Sequence, residues 1–598
     1  MPSLDRLAVT WRTVRYGLPL ARLRPETPRT VAHVIAEQAA ARPERPFVLY
    51  EDRRVSYGDF DRATNRVARW ALAQGLRRGD RVALLMHNRP EFLETWAGLA
   101  KAGITTALIN TNLTGRALHH AFAAGDVKHA IVGSECLGPY ATLGGDAPWQ
   151  VHVAVEPGAT ADLPAGAREF GAELAAQPDA APPADVRDGL RAGDDLFYIY
   201  TSGTTGLPKA ARFSHLRFLT TATAPRIAGF GPDDVMYCAL PLYHTAGGVM
   251  AVGAALLSGG TVAIRRRFSA REFWSDLRRY DATCFQYIGE FCRYLLHQDP
   301  DPRDGEHRLR FCIGNGLRPD IWPAFRDRFR IPRIVEFYGA TEGNVALMNF
   351  EGREGSVGRI PSKLLMDARL VRYDVERDEH ERDANGRLVV CRPGEVGELI
   401  ASLPRKPGET RGRFEGYTSA EATERKILRN CFADGDAFFR TGDLLRTDAE
   451  GWFYFVDRIG DTFRWKGENV STQEVAEALG AFPGVRIANV YGVEVPGADG
   501  RAGMVGLVLE DPRRFDGAAF FGHVKDSLPA YAAPAFVRLQ EEVEVTGTFK
   551  LRKVELQREG YAPERVRDPL FVRDDEARAY VPLTPERYAA IRAGEQRL

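Results

Sequence analysis

From Val31 to about Gly133 helical patterns alternate with short apolar runs, and this alternation narrows the folds open to the chain more than any other feature. Thr30 to Ala41 and Tyr57 to Gln74 read as helices, and Arg81 to Met86 and Thr105 to Ile109 read as strands. Short apolar strands separated by helices bury both faces of a sheet, so the expectation is an α/β layer with largely parallel strands. With 598 residues, the chain has room for about four structural units of ordinary size.

A second break falls near Arg458-Ile459-Gly460-Asp461. Trp452 to Val456 and Thr462 to Trp465 flank it as strands, and Ser471 then opens a helix as a capping residue, with Glu474 three positions on. Val475, Leu479 and Phe482 give that helix its apolar face. Strand-like Ile487 to Val493, helical Ala518 to Leu528 and the strand-like runs Met504 to Leu509 and Phe536 to Leu539 complete a compact α+β unit. The predicted organisation is therefore a basic amphipathic arm over 1–29, a large α/β part of several subdomains over 30–459, and a small mobile part over 460–598. The glycine-containing turn between the last two makes a hinge.

Composition disfavours several classes. Lys+Arg and Asp+Glu are both 80, so the net charge is zero and a dedicated nucleic-acid binder, which needs a basic excess, is disfavoured. The seven cysteines are scattered without CxxC spacing, which suggests neither a zinc site nor a disulfide framework and fits a reducing cytoplasmic compartment. The opening residues lack an apolar run followed by a small-residue cleavage site, so no secretory leader is expected. Thr245 to Ile264 is free of charge, but five glycines interrupt it and Arg265-Arg266-Arg267 follows, so a buried helix and strand are expected rather than a membrane span. Pro157 to Asp188 reads as an exposed connection. Up to Arg29 six arginines face Asp5 and Glu26, and Leu4, Leu7, Ala8, Trp11 and Leu18 fall near one helical face. This arm either packs on its own domain or lies on an anionic membrane.

The strongest chemical signal runs from Leu196 to Lys209. An apolar strand enters Thr201-Ser202-Gly203-Thr204-Thr205-Gly206-Leu207-Pro208-Lys209, a loop of hydroxyls and glycines closed by a lysine. Glycines let backbone N–H groups approach an anion, hydroxyls donate further bonds and the lysine adds charge, which together make a polyphosphate cradle. It is not the GxxxxGK[ST] loop, because Ala210 follows the lysine. Three weaker strings accompany it in order: Glu336-Phe337-Tyr338-Gly339-Ala340-Thr341-Glu342-Gly343, then Phe439-Arg440-Thr441-Gly442-Asp443, then Val545-Thr546-Gly547-Thr548-Phe549-Lys550. Singly, each has an ordinary reading as a turn former or a solvated lysine.

Together these strings resemble the adenylate-forming superfamily of acyl-CoA synthetases, adenylation domains and luciferases, over about residues 30 to 560. Leu240 to Gly247, Gly314 to Pro319, Gly460 to Ser471 and Asp568-Pro569-Leu570-Phe571-Val572 are similar to the very-long-chain acyl-CoA synthetase, or fatty acid transport protein, branch. The resemblance implies ATP, Mg²⁺ and coenzyme A, with a long- or very-long-chain fatty acid activated to an acyl-adenylate and passed to the thiol. It also implies roles for individual residues. Ser202 to Lys209 would hold the outer phosphates, with Glu342 and Thr201 as the metal ligands. Tyr338 would stack on adenine, with Gly314, Asn315, Gly316, Gly339 and the neighbouring Glu336, Ala340 and Thr341 around it. Asp443 would take the ribose hydroxyls with Arg458 nearby, Lys550 would bridge carboxylate and α-phosphate, and Gly467 would pass the pantetheine arm.

His244 matches a gate beside the acyl channel or is a hydrogen-bonded core histidine. Phe218, Val249, Met250, Leu256 and Tyr287 are channel candidates by position, and Gly460 replaces the usual hinge aspartate or lysine. Ser269-Ala270-Arg271-Glu272 reads as a capping box for a helix with Phe273, Trp274, Leu277 and Tyr280 inward. The alternatives are a fatty-acid uptake protein with secondary ligase activity and an acyl-AMP ligase that loads a carrier protein. No nucleic acid is expected as a partner. A cytoplasmic location, peripheral contact with the inner face of the membrane and a homodimer complete the expectations.

Overall fold

Two mostly parallel sheets take up the alternating patterns of the first half. The computed structural model describes residues 2–144, 148–202, 207–360, 366–375, 377–405, 412–465, 468–496, 498, 500–543 and 551–596. One sheet has eight strands in the order Ala346–Asn349, Ile334–Gly339, Phe311–Asn315, Cys284–Ile288, Val235–Cys238, Thr261–Ile264, Pro46–Tyr50 and Arg53–Ser56. The other has seven, running from Arg168–Glu169 through Gln150–Ala154, His129–Gly133, Arg81–Leu85 and Thr105–Leu108 to the hairpin of Asp195–Ser202 and Pro208–Ser214. Only the edge hairpins and the pair of Ile334–Gly339 with Ala346–Asn349 are antiparallel within them. A five-stranded antiparallel sheet follows, including Val396–Ser402, Ala437–Thr447 and Phe453–Arg458. A last five-stranded sheet, Val485–Glu494, Arg501–Leu509, Phe536–Leu539, Leu570–Asp574 and Ala579–Pro582, has its own apolar core of residues from Phe463 to Ile591. The architecture is thus the expected large α/β part with a smaller α+β part.

Local chemistry explains why the elements start where they do. Ser56 caps the helix Tyr57–Ala73 by accepting from the Asp59 N–H at 3.1 Å, and Ser471 caps Thr472–Gly480 by accepting from the Glu474 N–H at 3.2 Å. Such caps contribute about 1 kcal/mol each. The uncharged stretch 245–264 divides into a π-helical turn, Thr245–Ala251, the helix Val252–Ser258 and the buried strand Thr261–Ile264. Gly259, at φ +70°, ends the helix in the left-handed region, where glycine carries no Cβ penalty. No helix among the described residues is long and apolar enough to cross a membrane.

Two expectations are corrected, and the form of the arm is added to them. Pro157 to Asp188 is not merely exposed, since the helix Phe170–Ala175 buries Phe170 edge-on against Trp70 at 4.9 Å. Glu173 of that helix accepts from Trp70 Nε1 at 3.0 Å and contacts His152 Nδ1 at 2.6 Å. One aromatic and one acid anchor a segment whose average composition is that of a loop. The helix after Arg267 starts at Phe273 rather than at Ser269; Ser269 Oγ still accepts from the Glu272 N–H at 3.3 Å, Phe273, Trp274 and Leu277 are buried, and Tyr280 is only half-buried. The arm is a helix, Pro2–Ala21, docked by one face and open on the other. Arg12 Nη1 donates to the Ile227 carbonyl at 3.1 Å and Arg226 lies 4.2 Å over the Tyr16 ring, while Leu7, Trp11, Val14 and Leu18 stay 52–66% exposed.

Candidate active site

The hairpin of Asp195–Ser202 and Pro208–Ser214 places Thr201 opposite Lys209. Gly203, Thr204, Thr205 and Gly206 lie outside the described residues, as do Gly467 and Lys550. Beside the hairpin runs the segment 416–418: Arg212 N–H donates to the Gly416 carbonyl and Thr418 N–H to the Ala210 carbonyl, both at 3.0 Å. This added strand carries Tyr417 into the site. Its hydroxyl donates to Glu342 Oε1 at 2.9 Å and is hydrogen-bonded to the Thr201 side chain, and Lys209 Nζ lies 6.0 Å from its ring centre. Burial, then the Glu342 carboxylate, pushes the Tyr417 hydroxyl well above its ordinary pKa, so it stays a donor.

Thr201, Lys209 and Glu342, read from two motifs far apart in sequence, thus meet around one ring that the sequence reading did not single out. Gly416-Tyr417 carries no charge or spacing signal that could have flagged it. Among the described residues no group of three or more His, Cys, Asp or Glu could hold a metal. A single carboxylate with a hydroxyl fits Mg²⁺, which takes one or two protein ligands and leaves the rest to water and phosphate oxygens.

The next wall is built by Gly314, Asn315 and Gly316 at the end of Phe311–Asn315, and by Ile334–Gly339 beside it. A Cβ on Gly314 would lie 2.3 Å from the Tyr287 carbonyl oxygen, and one on Gly289 would lie 1.6 Å from the Gly316 carbonyl oxygen, so the two turns close through glycines. Glu336 needs correction as a direct ligand group. It is 1% exposed and its carboxylate accepts from the Tyr287 hydroxyl, the Gly316 N–H and, at 3.2 Å, the Leu317 N–H. Burial pushes its carboxyl up to about 8, against those donors. Its work is to hold the 314–317 turn in place.

Tyr338 donates to Asp443 Oδ2 at 2.5 Å, and Asp443 stands opposite Arg458 on the paired strands Ala437–Thr447 and Phe453–Arg458. Gly339, Ala340 and Thr341 lead from Tyr338 to Glu342, and Thr341 Oγ1 lies 3.0 Å from Thr245 Oγ1. That contact joins the Glu342 loop to the first residue of the π-turn. His244 precedes the turn, its ring 5.4 Å from that of Tyr243. Asn88 fixes this approach by donating to the carbonyls of Leu240 and Arg265 and accepting from the Leu242 N–H, at 2.7 to 2.9 Å.

The apolar side differs from expectation at one position. The chain crosses from Val235–Cys238 to Thr261–Ile264 in one direction and back to Cys284–Ile288 in the other, so right-handed crossovers put the π-turn and the helix Phe273–Arg279 on opposite sheet faces. Phe285 packs on Phe273 at 5.2 Å, and Tyr287, two residues on, shares its face and bonds Glu336. Tyr287 therefore turns away from Val249 and Met250 and cannot line a channel with them. Phe218, Val249, Met250 and Leu256 are all buried.

At the junction, Asp461 and Thr462 donate their N–H groups to the Arg458 carbonyl at 3.0 Å, and buried Asp457 accepts from Thr472 N–H at 2.6 Å. A Cβ on Gly460 would meet nothing within 4 Å.

Residues 35–403 match the model of the AMP-binding enzyme family, and residues 474–550 match that of the AMP-binding enzyme C-terminal domain. The chain belongs to the AMP-binding enzyme family. Among the relatives of this AMP-binding enzyme is long-chain fatty acid transport protein 6 of Mus musculus, 40% identical over 595 residues that cover 98% of this chain and 94% of the relative. Long-chain fatty acid transport protein 2 of Rattus norvegicus is 40% identical over 605 residues, covering 97% and 94%. An anthranilate CoA ligase with bound anthranoyl-AMP has the same fold, with a TM-score of 0.75 at 20% identity over 90% of this chain and 98% of that one.

Proposed function

We propose that this AMP-binding enzyme is a long- or very-long-chain fatty acid:CoA ligase that forms an acyl-adenylate from ATP and then the CoA thioester. The observation that supports this most is the chain of contacts from Thr201 and Glu342 through Thr341 to Thr245, which sets phosphate- and metal-binding groups against a buried apolar wall. The names of the transport-protein relatives supply the acid class.

In this reading the loop from Ser202 to Lys209 cradles the outer phosphates, while Glu342 and Thr201 would hold Mg²⁺, which would neutralise phosphate charge. Tyr338, the 314–316 turn and Gly339 flank adenine, and Asp443 accepts from the ribose with Arg458 alongside. The fatty carboxylate attacks the α-phosphorus, the α–β P–O bond breaks and pyrophosphate leaves; Lys550 offsets the charge of the two anions as they meet. The small part then turns about 458–461 and brings Gly467 to the pantetheine arm, and the CoA thiol displaces AMP from the acyl carbon. His244 stands where the acyl chain enters.

The test measures pyrophosphate release and acyl-CoA formation with saturated acids from medium to very long chain, with and without CoA. CoA-dependent turnover that peaks at long chains is the expected result. Pyrophosphate release without any CoA ester would move the protein to carrier loading.

A peripheral place on the inner face of the cell membrane is supported by the first helix, whose docked face leaves Leu7, Trp11, Val14 and Leu18 in one exposed stripe beside Arg15. Anionic vesicles should recruit the chain and lose it on Trp11→Glu. Retention of the variant on vesicles would refute the contact, and a dimer in sedimentation that Trp11→Glu dissolves would give the stripe to a second copy. A primary role in uptake would require acid import to survive Lys550→Ala.

A further inference from the structure

Arg217 is an arginine inside the short helix His215–Thr221, between buried Leu216 and Phe218. Its own N–H is taken by the capping Ser214 Oγ at 3.1 Å, and its guanidinium lies 5.2 Å over the Phe213 ring. The fork itself is spent on carbonyls. Nη2 donates to Ala340 at 3.1 Å and to Gly343, and Nη1 donates to Glu342 at 3.3 Å. Three carbonyls of one four-residue loop, including that of Glu342 itself, are bound by one planar group. Lysine could not reproduce this, because an ammonium is a point charge without the fixed fork.

The groups around the fork support a role beyond packing. No carboxylate among the described residues pairs with the guanidinium at ion-pair distance. Glu415 and Glu342 are the acids that act on its charge, and Glu415 is already committed to Ser214, accepting from its N–H at 2.7 Å and from its hydroxyl, with Arg413 at 3.6 Å. The Glu342 carboxylate meanwhile holds Tyr417 on the other side of the loop. The loop is thus gripped from two directions: by its backbone from Arg217, and by its carboxylate from Tyr417.

We propose that Arg217 is a positioning residue for the metal carboxylate: by binding the carbonyls of Ala340, Glu342 and Gly343 it fixes the loop so that Glu342 meets a divalent cation on ATP in one geometry. The inference rests on the metal role given to Glu342 above. Outer-shell groups that orient a metal ligand typically change metal affinity ten- to a hundredfold when removed.

The experiment uses the full chain and reads ATP binding, with no acid or CoA present. The rise in melting temperature caused by ATP is titrated with Mg²⁺ for the wild type, Arg217→Lys and Arg217→Met, and electron paramagnetic resonance of Mn²⁺ with ATP repeats the measurement. The midpoint cation concentration is expected to rise on the order of tenfold for Arg217→Met and less for Arg217→Lys. Attack of CoA on supplied acyl-adenylate should change by less than about threefold, because that step does not use the cation. Should Arg217→Met fail to fold, Arg217→Lys carries the test. An unchanged cation midpoint in a folded variant, whatever happens to turnover, would reduce Arg217 to a structural residue. Failure of the ligase reading is seen separately, as a wild type that binds ATP and Mg²⁺ yet releases no pyrophosphate with any fatty acid.

Discussion

Tyr338 gives its phenolic hydrogen to Asp443, Oη to Oδ2 at 2.5 Å, across two different sheets. The aromatic group proposed to face adenine and the carboxylate proposed to take the ribose are therefore joined in one hydrogen-bonded unit. A hydrogen bond to a charged acceptor contributes about 1.5–3 kcal/mol. Tyr338→Phe, which keeps the ring, should raise KM for ATP by about tenfold or more. Asp443→Asn should cost at least as much, and the double variant should fall short of the sum by about 0.5 kcal/mol or more. Additive effects on KM in a pyrophosphate-release assay would show that the two groups act separately.

Tyr417→Phe removes only the hydroxyl between Thr201 and Glu342. Adenylate formation should slow on the order of tenfold, and the fold should lose about 1–2 kcal/mol because a buried acceptor loses its donor. Stopped-flow adenylation and urea unfolding measure the two effects. Wild-type adenylation in the variant would remove Tyr417 from the site.

Lys550→Ala should abolish adenylate formation, by a hundredfold or more, while CoA still attacks supplied acyl-adenylate. Equal loss in both half-reactions would contradict the role proposed for this lysine.

Acid should destabilise the fold through histidines held neutral. His215 is 1% exposed with Nδ1 accepting from the Val31 N–H at 3.4 Å, and burial, with His33 adding to it, pushes its pKa from 6.5 down to about 3. Burial, followed by Arg267 and Arg266, takes His87 down to about 4. Between these values and 6.5 the unfolded chain binds more protons than the folded one. Stability is thus full above the unfolded value and is lost as pH falls toward the folded ones. Urea midpoints at about pH 7.5, 6 and 5 should decline in that order, and His215→Gln should flatten the slope. Midpoints equal across that range would contradict the assignment.

What the sequence disclosed follows from how far each signal reaches. The cap at Ser471 and the strands Arg81–Leu85 and Phe536–Leu539 are set by neighbours within a few residues, and they fall where local patterns put them. Thr201, Lys209, Glu342 and Asp443 were singled out because their strings keep a fixed order. Arg217 and Tyr417 were not, since their partners stand 123 to 126 and 75 residues away and nothing beside them in sequence announces the contact. Tyr287 was misplaced because position along a strand says nothing of which face a residue takes until the crossovers are known. Glu336 belongs to a nucleotide-binding string yet works inside the wall, where only burial reveals it.

The π-turn at Thr245–Ala251 holds one residue more than an α-helical turn could seat, and the hydroxyl of its one threonine lies 3.0 Å from that of Thr341. Each residue of a helix advances the side chains by about 100°. Deleting a single residue from this stretch would let it relax to ordinary helix and swing Thr245 a quarter-turn or more away from the Glu342 loop. The tie between the Glu342 loop and the apolar wall is in that sense a matter of counting. The stretch resists substitution as well, since a Cβ on Gly247 would lie 2.6 Å from the Pro241 carbonyl oxygen and one on Gly248 2.0 Å from that of Leu242.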